Sequence, residues 1–266
     1  MISPLSSIHP SARIEANVSI DPFTMVHGDV EIGEGTWIGS NVTIYDGARI
    51  GKNCKIFPGA VISAVPQDLK YAGEKTIIEI GDNTTIREYV TINKGTVALG
   101  KTSVGANCLL MAYVHVAHDC VIGNNCILAN GVTLAGHITI DDYAIIGGLS
   151  AVHQFVHIGG HVMISGGSLV RKDVPPFTKS AHEPLAYIGI NSVGLRRRGF
   201  DNEVISNIQD IYRTLFQKGY TVNKALSVIE AEIPKTEVRD HIITFIKNSS
   251  RGIMKGYAGS DDPEDL

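Results

Sequence analysis

The stretch Leu110-Met111-Ala112-Tyr113-Val114-His115-Val116-Ala117-His118-Asp119-Cys120 opens a run, residues 110–174, in which every sixth residue is aliphatic. The series is Leu110, Val116, Ile122, Leu128, Leu134, Ile140, Ile146, Val152, Ile158, Ile164 and Val170. Working outward, the same step of six begins at Ile8, runs through ten positions to Ile62, resumes at Ile80, Ile86 and Ile92, and resumes again at Val104. All these positions share one remainder modulo six, so the two interruptions are multiples of six long. Four residues after each aliphatic comes a small or β-branched residue, as in Val42, Ala48, Cys54, Val114, Cys120, Cys126 and Val132. Gly, Asn and Asp concentrate between the two positions, where turns and positive φ are needed.

This pattern predicts one short strand and one tight turn per hexad, with three hexads closing a triangular coil of 18 residues. Coils stacked at the sheet spacing of about 4.8 Å bury the aliphatic and small residues in a thin prism. A sandwich would require period-two strands and turns at wider spacing, which the chain lacks. The fold class is therefore mainly β, a parallel β-helix of hexapeptide repeats, expected over residues 1–176 with extruded loops at 63–79 and 97–103. Pro175-Pro176 ends it. A connector, 177–195, leads to a C-terminal helical domain ending near residue 255, with helices opening at Asp201, Thr221 and Thr236. Residues 256–266 read as a disordered acidic tail.

The net charge of −4 gives no overall basic field, which excludes nucleic acid as a partner on bulk electrostatics. The N-terminus has no signal-peptide pattern and no run approaches the ~20 apolar residues of a membrane span. A cytoplasmic protein without membrane insertion is expected. Cys54, Cys108, Cys120 and Cys126 all fall on the small inward slot, which makes them packing residues.

The histidines differ. A period of 18 stacks Gly136 over His118, with His137 one residue further on, His153 in the coil beyond and His115 at the corner leading in. Such a strip could bind a metal. Alternatively, one histidine could be a general base, with Asp119 orienting it and the Gly136 N–H serving as an oxyanion donor. His27, His157, His161, His182 and His241 read as ordinary surface histidines.

Taken with the hexads, several segments resemble the UDP-N-acetylglucosamine O-acyltransferases of lipid A biosynthesis. They are Gln67-Asp68-Leu69-Lys70-Tyr71-Ala72-Gly73-Glu74, Ala117-His118-Asp119-Cys120, Leu134-Ala135-Gly136-His137, Ala151-Val152-His153-Gln154-Phe155, Asp173-Val174-Pro175-Pro176 and Gly194-Leu195-Arg196-Arg197-Arg198-Gly199-Phe200. The resemblance implies a left-handed coil and transfer of an R-3-hydroxyacyl chain from acyl carrier protein to the glucosamine 3-hydroxyl of UDP-N-acetylglucosamine, without metal or cofactor. It assigns His118 as base, Asp119 as its orienting partner and Gly136 as oxyanion donor. Gln67, Asp68 and Lys70 would contact substrate, and His115, His137, His153 and Gln154 would line the site. Asn191, Arg197 and Arg198 would meet the uridine diphosphate, where guanidinium forks suit phosphate.

The family is a homotrimer with sites between neighbouring prisms, and phosphopantetheine would lie along the solenoid groove. Basic residues of the helical end would suit an acidic carrier protein. Gly166 falls where the family sets acyl length, and glycine leaves space there. Asn93 stands where other members often carry His, and Val193 where some carry Glu, so contacts at those positions are expected to differ. Three readings compete: a related N-acyltransferase or one using another nucleotide sugar, a zinc-dependent hydratase of the carbonic anhydrase kind needing three converging imidazoles, and a non-catalytic scaffold.

Overall fold

In a computed structural model, which describes residues 1–257, the chain winds into a prism of three parallel sheets. The first sheet has nine strands, from Ser7–Ile8 to Leu169–Val170, and the second has eight, from Arg13–Ile14 to His157–Ile158. The third has eleven and begins at Ser19–Ile20. Most strands are two residues long, because a hexad has room only for the aliphatic and its outward neighbour before the chain turns. The register is the predicted one: Leu110 pairs with Leu128, Leu128 with Ile146, and Ile146 with Ile164. The aliphatics from Ile20 to Val170 and all four cysteines are buried in one continuous core.

Most turns depend on one residue in the left-handed region, three positions after the aliphatic. From Asn107 to Gly167 every such corner residue has φ between +56° and +70°. Asn and Gly adopt this conformation at least cost; Tyr113, Tyr143, Leu149 and Phe155 adopt it against their preference.

Both interruptions leave the first sheet and enter the second, so they emerge from one edge of the prism. Ile80 pairs with Ile50, thirty residues back instead of eighteen, and Val104 pairs with Ile80, twenty-four back. The loops are shorter than 63–79 and 97–103. Strands Val61–Ala64, Ile77–Ile80 and Lys101–Val104 take their ends, since backbone at the loop bases pairs with the neighbouring coil rather than leaving its hydrogen bonds unmade.

The C-terminal boundary also moves. The third sheet continues past residue 176, with Thr178–Ala181 parallel to Met163–Ile164 and Ala186–Ile190 antiparallel to Thr178–Ala181. Lys255–Gly256 adds the last strand, and Tyr257 stacks on His182, so residues 256 and 257 are ordered parts of the fold rather than tail. The remainder of the expected tail, 258–266, lies outside the described residues.

The connector holds a helix that periodicity could not reveal, α1 (Ser192–Arg197). It precedes α2 (Asn202–Phe216), α3 (Val222–Glu232) and α4 (Glu237–Asn248). Thr221 and Thr236 cap α3 and α4 through their hydroxyls, whereas Asp201 precedes α2 without making a side-chain cap. Among the described residues, no helix is long and apolar enough to cross a membrane.

Ile146 is fully buried between Leu128 and Ile164 in the stack. Ile146→Ala is expected to cost about 2–5 kcal/mol through lost burial and an unfilled cavity, measured by denaturant unfolding.

Candidate active site

The edge between the first and second sheets brings His118, Asp119 and His137 together. Asp119, His137 and Phe155 are its left-handed corner residues in three successive coils. Because Asp119 is the corner itself, its carboxylate turns back toward the coil below and is fully buried. Its Oδ1 accepts from the Thr96 N–H at 3.0 Å and the Leu99 N–H at 3.2 Å, and its Oδ2 from the Thr96 hydroxyl at 2.6 Å. Its own N–H donates to the Thr102 hydroxyl at 2.9 Å. Burial pushes the carboxyl upward, but these donors and His118 outweigh it and hold Asp119 below the usual carboxylate range.

His118 Nδ1 lies 2.8 Å from the same Oδ2. An anionic carboxylate requires Nδ1–H as the donor, and in the neutral ring Nε2 then carries the lone pair. Only 9% of the His118 side chain is exposed, so the ring has one preferred position. Gly136 sits over it: a Cβ there would fall 2.6 Å from His118 Cε1 and 2.7 Å from Nε2. Glycine is therefore required to admit the ring. The Gly136 N–H makes no hydrogen bond among the described residues, while its carbonyl accepts from Phe155. The His137 ring stands edge-on to His118, with centroids 5.0 Å apart, and stacks on Phe155 at 4.7 Å.

His115 lies in a first-sheet strand rather than at the corner, because it is the outward neighbour of Val116. Its Nδ1 contacts the Thr91 hydroxyl at 2.7 Å, and burial holds its pKa below the ordinary histidine value. His153 is exposed with Nδ1 3.1 Å from the Gln154 carbonyl, and Gln154 is half-buried beside it. Gln67, Asp68 and Lys70 belong to the loop that leaves the same edge two coils earlier, with Gln67 and Lys70 exposed and Asp68 half-buried. Asn93, buried at the base of that loop, donates to the Val65 carbonyl at 2.8 Å.

Asn191, Arg197 and Arg198 are elsewhere. Asn191 accepts from the Gly194 N–H and donates to the His161 carbonyl at 2.9 Å, capping α1 and tying it to the prism. Arg198 donates to the Tyr143 carbonyl at 3.2 Å and lies over the Tyr143 ring. Arg197 is exposed. Tyr143 and His161 are corner residues of the edge between the second and third sheets, so one prism does not unite these residues with His118. Gly166 lies on the remaining edge, between the third and first sheets, where a Cβ would meet the Gly148 carbonyl oxygen at 3.1 Å. His161 and His241, read as ordinary from sequence, line a cavity of about 550 Å³ between the prism and α4. Burial, and then Arg198, pull His161 down to about 4.

His118, Asp119 and His137 form the one cluster of metal-ligand type among the described residues, their donor atoms all within 4.8 Å of one another. Both Asp119 oxygens already accept hydrogen bonds and His118 Nδ1 faces the carboxylate. The donors are committed to one another, and two imidazoles converge where a zinc hydratase needs three.

Residues 173–254 match the model for domain 2 of the UDP-N-acetylglucosamine O-acyltransferases, and residues 29–64 and 101–136 match the bacterial transferase hexapeptide model. Acyl-[acyl-carrier-protein]--UDP-N-acetylglucosamine O-acyltransferases of Myxococcus xanthus and Thiobacillus denitrificans are 46% and 41% identical, each over 73% of this chain and 76% of its own. The chain belongs to the UDP-N-acetylglucosamine O-acyltransferase family. Its fold matches a solved Bacteroides fragilis UDP-N-acetylglucosamine acyltransferase with a TM-score of 0.94 and 53% identity, covering 96% of this chain and all of the other. A Francisella novicida member matches at 0.93 and 42%, covering 97% of this chain and 95% of that one. The coil is accordingly the left-handed β-helix of this family, as the resemblance implied.

Gly136→Ala is expected to displace the His118 ring and lower turnover about 100-fold, with the thermal unfolding midpoint little changed. Because the Asp119 pKa is depressed on folding, its stabilisation is fully present above about pH 4, the ordinary carboxylate value, and is lost as pH falls through the lower folded value. The stability gap between wild type and Asp119→Asn is therefore expected to narrow on going from about pH 6 to about pH 3, followed by thermal unfolding.

Proposed function

We propose that this protein transfers an R-3-hydroxyacyl chain from acyl carrier protein to the glucosamine 3-hydroxyl of UDP-N-acetylglucosamine in the cytoplasm, as the first step of lipid A biosynthesis. The observation that carries the mechanism is the position of His118: its Nδ1 is held by a buried carboxylate, and Gly136 lies above the ring. In this reading Nε2 takes the proton of the sugar 3-hydroxyl as its oxygen attacks the thioester carbonyl. The carbonyl oxygen becomes an oxyanion, and the Gly136 N–H donates to it. Collapse breaks the C–S bond, and the imidazolium returns its proton to the departing phosphopantetheine sulfur. The products are the sugar ester and a carrier thiol, with His118 neutral again. Asp119 holds the tautomer and stabilises the imidazolium formed midway.

The roles of Gln67, Asp68, Lys70, His115, His137, His153 and Gln154 as substrate contacts belong to this reading. Their support is that the loop and the histidine strip follow one edge of the prism or the sheet face beside it. Asn191, Arg197 and Arg198, on another edge, would serve the diphosphate of a site completed by a neighbouring copy. Such an interface repeats head to tail and closes as a ring, and a homotrimer is the arrangement proposed. The acyl chain would then follow the outer face of the first sheet, past Thr133, Ala151 and Leu169, with Gly166 at its far margin.

His118→Ala is expected to retain no more than a few per cent of wild-type turnover. The assay supplies UDP-N-acetylglucosamine and a series of 3-hydroxyacyl carrier proteins and reads product mass; a product acylated elsewhere than the 3-hydroxyl would overturn the assignment. Subunit exchange between inactive His118→Ala and Arg198→Ala proteins is expected to regain activity, up to about a quarter of wild type for random assembly. No recovery would show that both residues serve the same chain's site.

A further inference from the structure

We infer that Thr96 is a third, positioning member of the His118–Asp119 pair, setting how strongly Asp119 supports the imidazolium; the inference rests on His118 being the base. Thr96 occupies a hexad's small slot, four residues after Ile92, where other coils place inward packing residues. Here the chain leaves the prism immediately afterwards, and the hydroxyl is directed instead to Asp119 Oδ2 at 2.6 Å. The same oxygen faces His118 Nδ1 at 2.8 Å. The chain hydroxyl–carboxylate–imidazole is thus continuous, and all three residues are buried.

The sharing has a definite consequence. Each donor to a carboxylate withdraws charge from it and lowers its basicity. With Thr96, Leu99 and His118 all donating, Asp119 offers the imidazolium less compensation than a carboxylate bound by His118 alone. The hydroxyl therefore sets how much charge Asp119 presents to the ring. The titratable groups facing this chain are few. His137 stands edge-on from the coil above, with Nε2 3.9 Å from Asp119 Oδ2. Cys120, next in sequence, is pushed up to about 12, chiefly by burial, and stays uncharged. From the coil below, Thr96, Leu99 and Thr102 contribute only neutral donors and an acceptor.

The test compares Thr96→Val, which keeps the size and the backbone N–H, with Thr96→Ser, which keeps the hydroxyl. Both are measured as kcat/KM against pH, together with the histidine titration followed by NMR, His118 being assigned by its absence in His118→Ala. The expected result is an acid limb and a His118 titration moved to higher pH by about half a unit or more in Thr96→Val, with Thr96→Ser superimposing on wild type. Two results would overturn the inference. In one, both variants follow the wild-type profile. In the other, both lower the rate equally at every pH with the His118 titration unmoved, which is the signature of a purely structural residue. Should Thr96→Val not fold, the Thr96→Ser profile and titration decide, since a displaced limb there would contradict the role given to the hydroxyl. Failure of the underlying reading looks different: His118→Ala would remain active whatever Thr96 does.

Discussion

The structure depends on a backbone constraint that recurs every six residues. At most corners one residue per hexad enters the left-handed region so that the chain can turn. Where the side chain permits, Asn or Gly fills that place. Where it does not, stacking between coils offsets the strain, as with Phe155 on His137 and Tyr143 on His161. The same constraint supplies the geometry of the candidate site. Asp119 is a corner residue, so its carboxylate is thrown back against the loop base below, while His118, one residue earlier, is carried under Gly136 of the next coil. A dyad of sequence neighbours is unusual, because adjacent residues in a strand point to opposite faces. A left-handed corner between them turns both toward the same space.

That geometry explains which parts were legible in the sequence. The period fixes every neighbour eighteen residues away, so the stacking of Gly136 over His118, the inward cysteines and the core could be read before any coordinates. The fold class and the caps of α3 and α4 followed from similarly local signals. The partners of Asp119 could not be read. Thr96 and Leu99 lie twenty-three and twenty residues back, across the second interruption, where the period no longer states who stacks on whom. The helix α1 was equally hidden, because six residues, one of them a glycine, are too few to show helical periodicity. Asp201 shows the limit of capping signals: the residue type is right, but its side chain makes no cap bond.

The placement of Arg198 was legible as a motif and not as a position. A motif tells what a guanidinium suits and nothing about which prism edge holds it. The structure puts it against Tyr143, one face of the prism away from His118. Burial lowers its pKa, yet one terminal nitrogen has no hydrogen-bond partner among the described residues. A buried guanidinium nitrogen left unmade is costly unless a ligand or a neighbouring chain completes it. That unpartnered nitrogen is the observation on which the proposed diphosphate role of Arg198 rests.

The solid core of a hexapeptide prism leaves no room for a substrate, so a reaction on this fold must occur outside it. An edge is convex and cannot by itself exclude water. The fold answers in two ways. Loops are extruded from the edge that holds His118 in lengths that are multiples of six, so the aliphatic register returns unbroken. In the proposed trimer the remaining wall comes from the sheet face of a neighbouring copy. Corners, loops and the proposed assembly thus answer one requirement: a rod with no interior has only its outer surface on which to build a pocket.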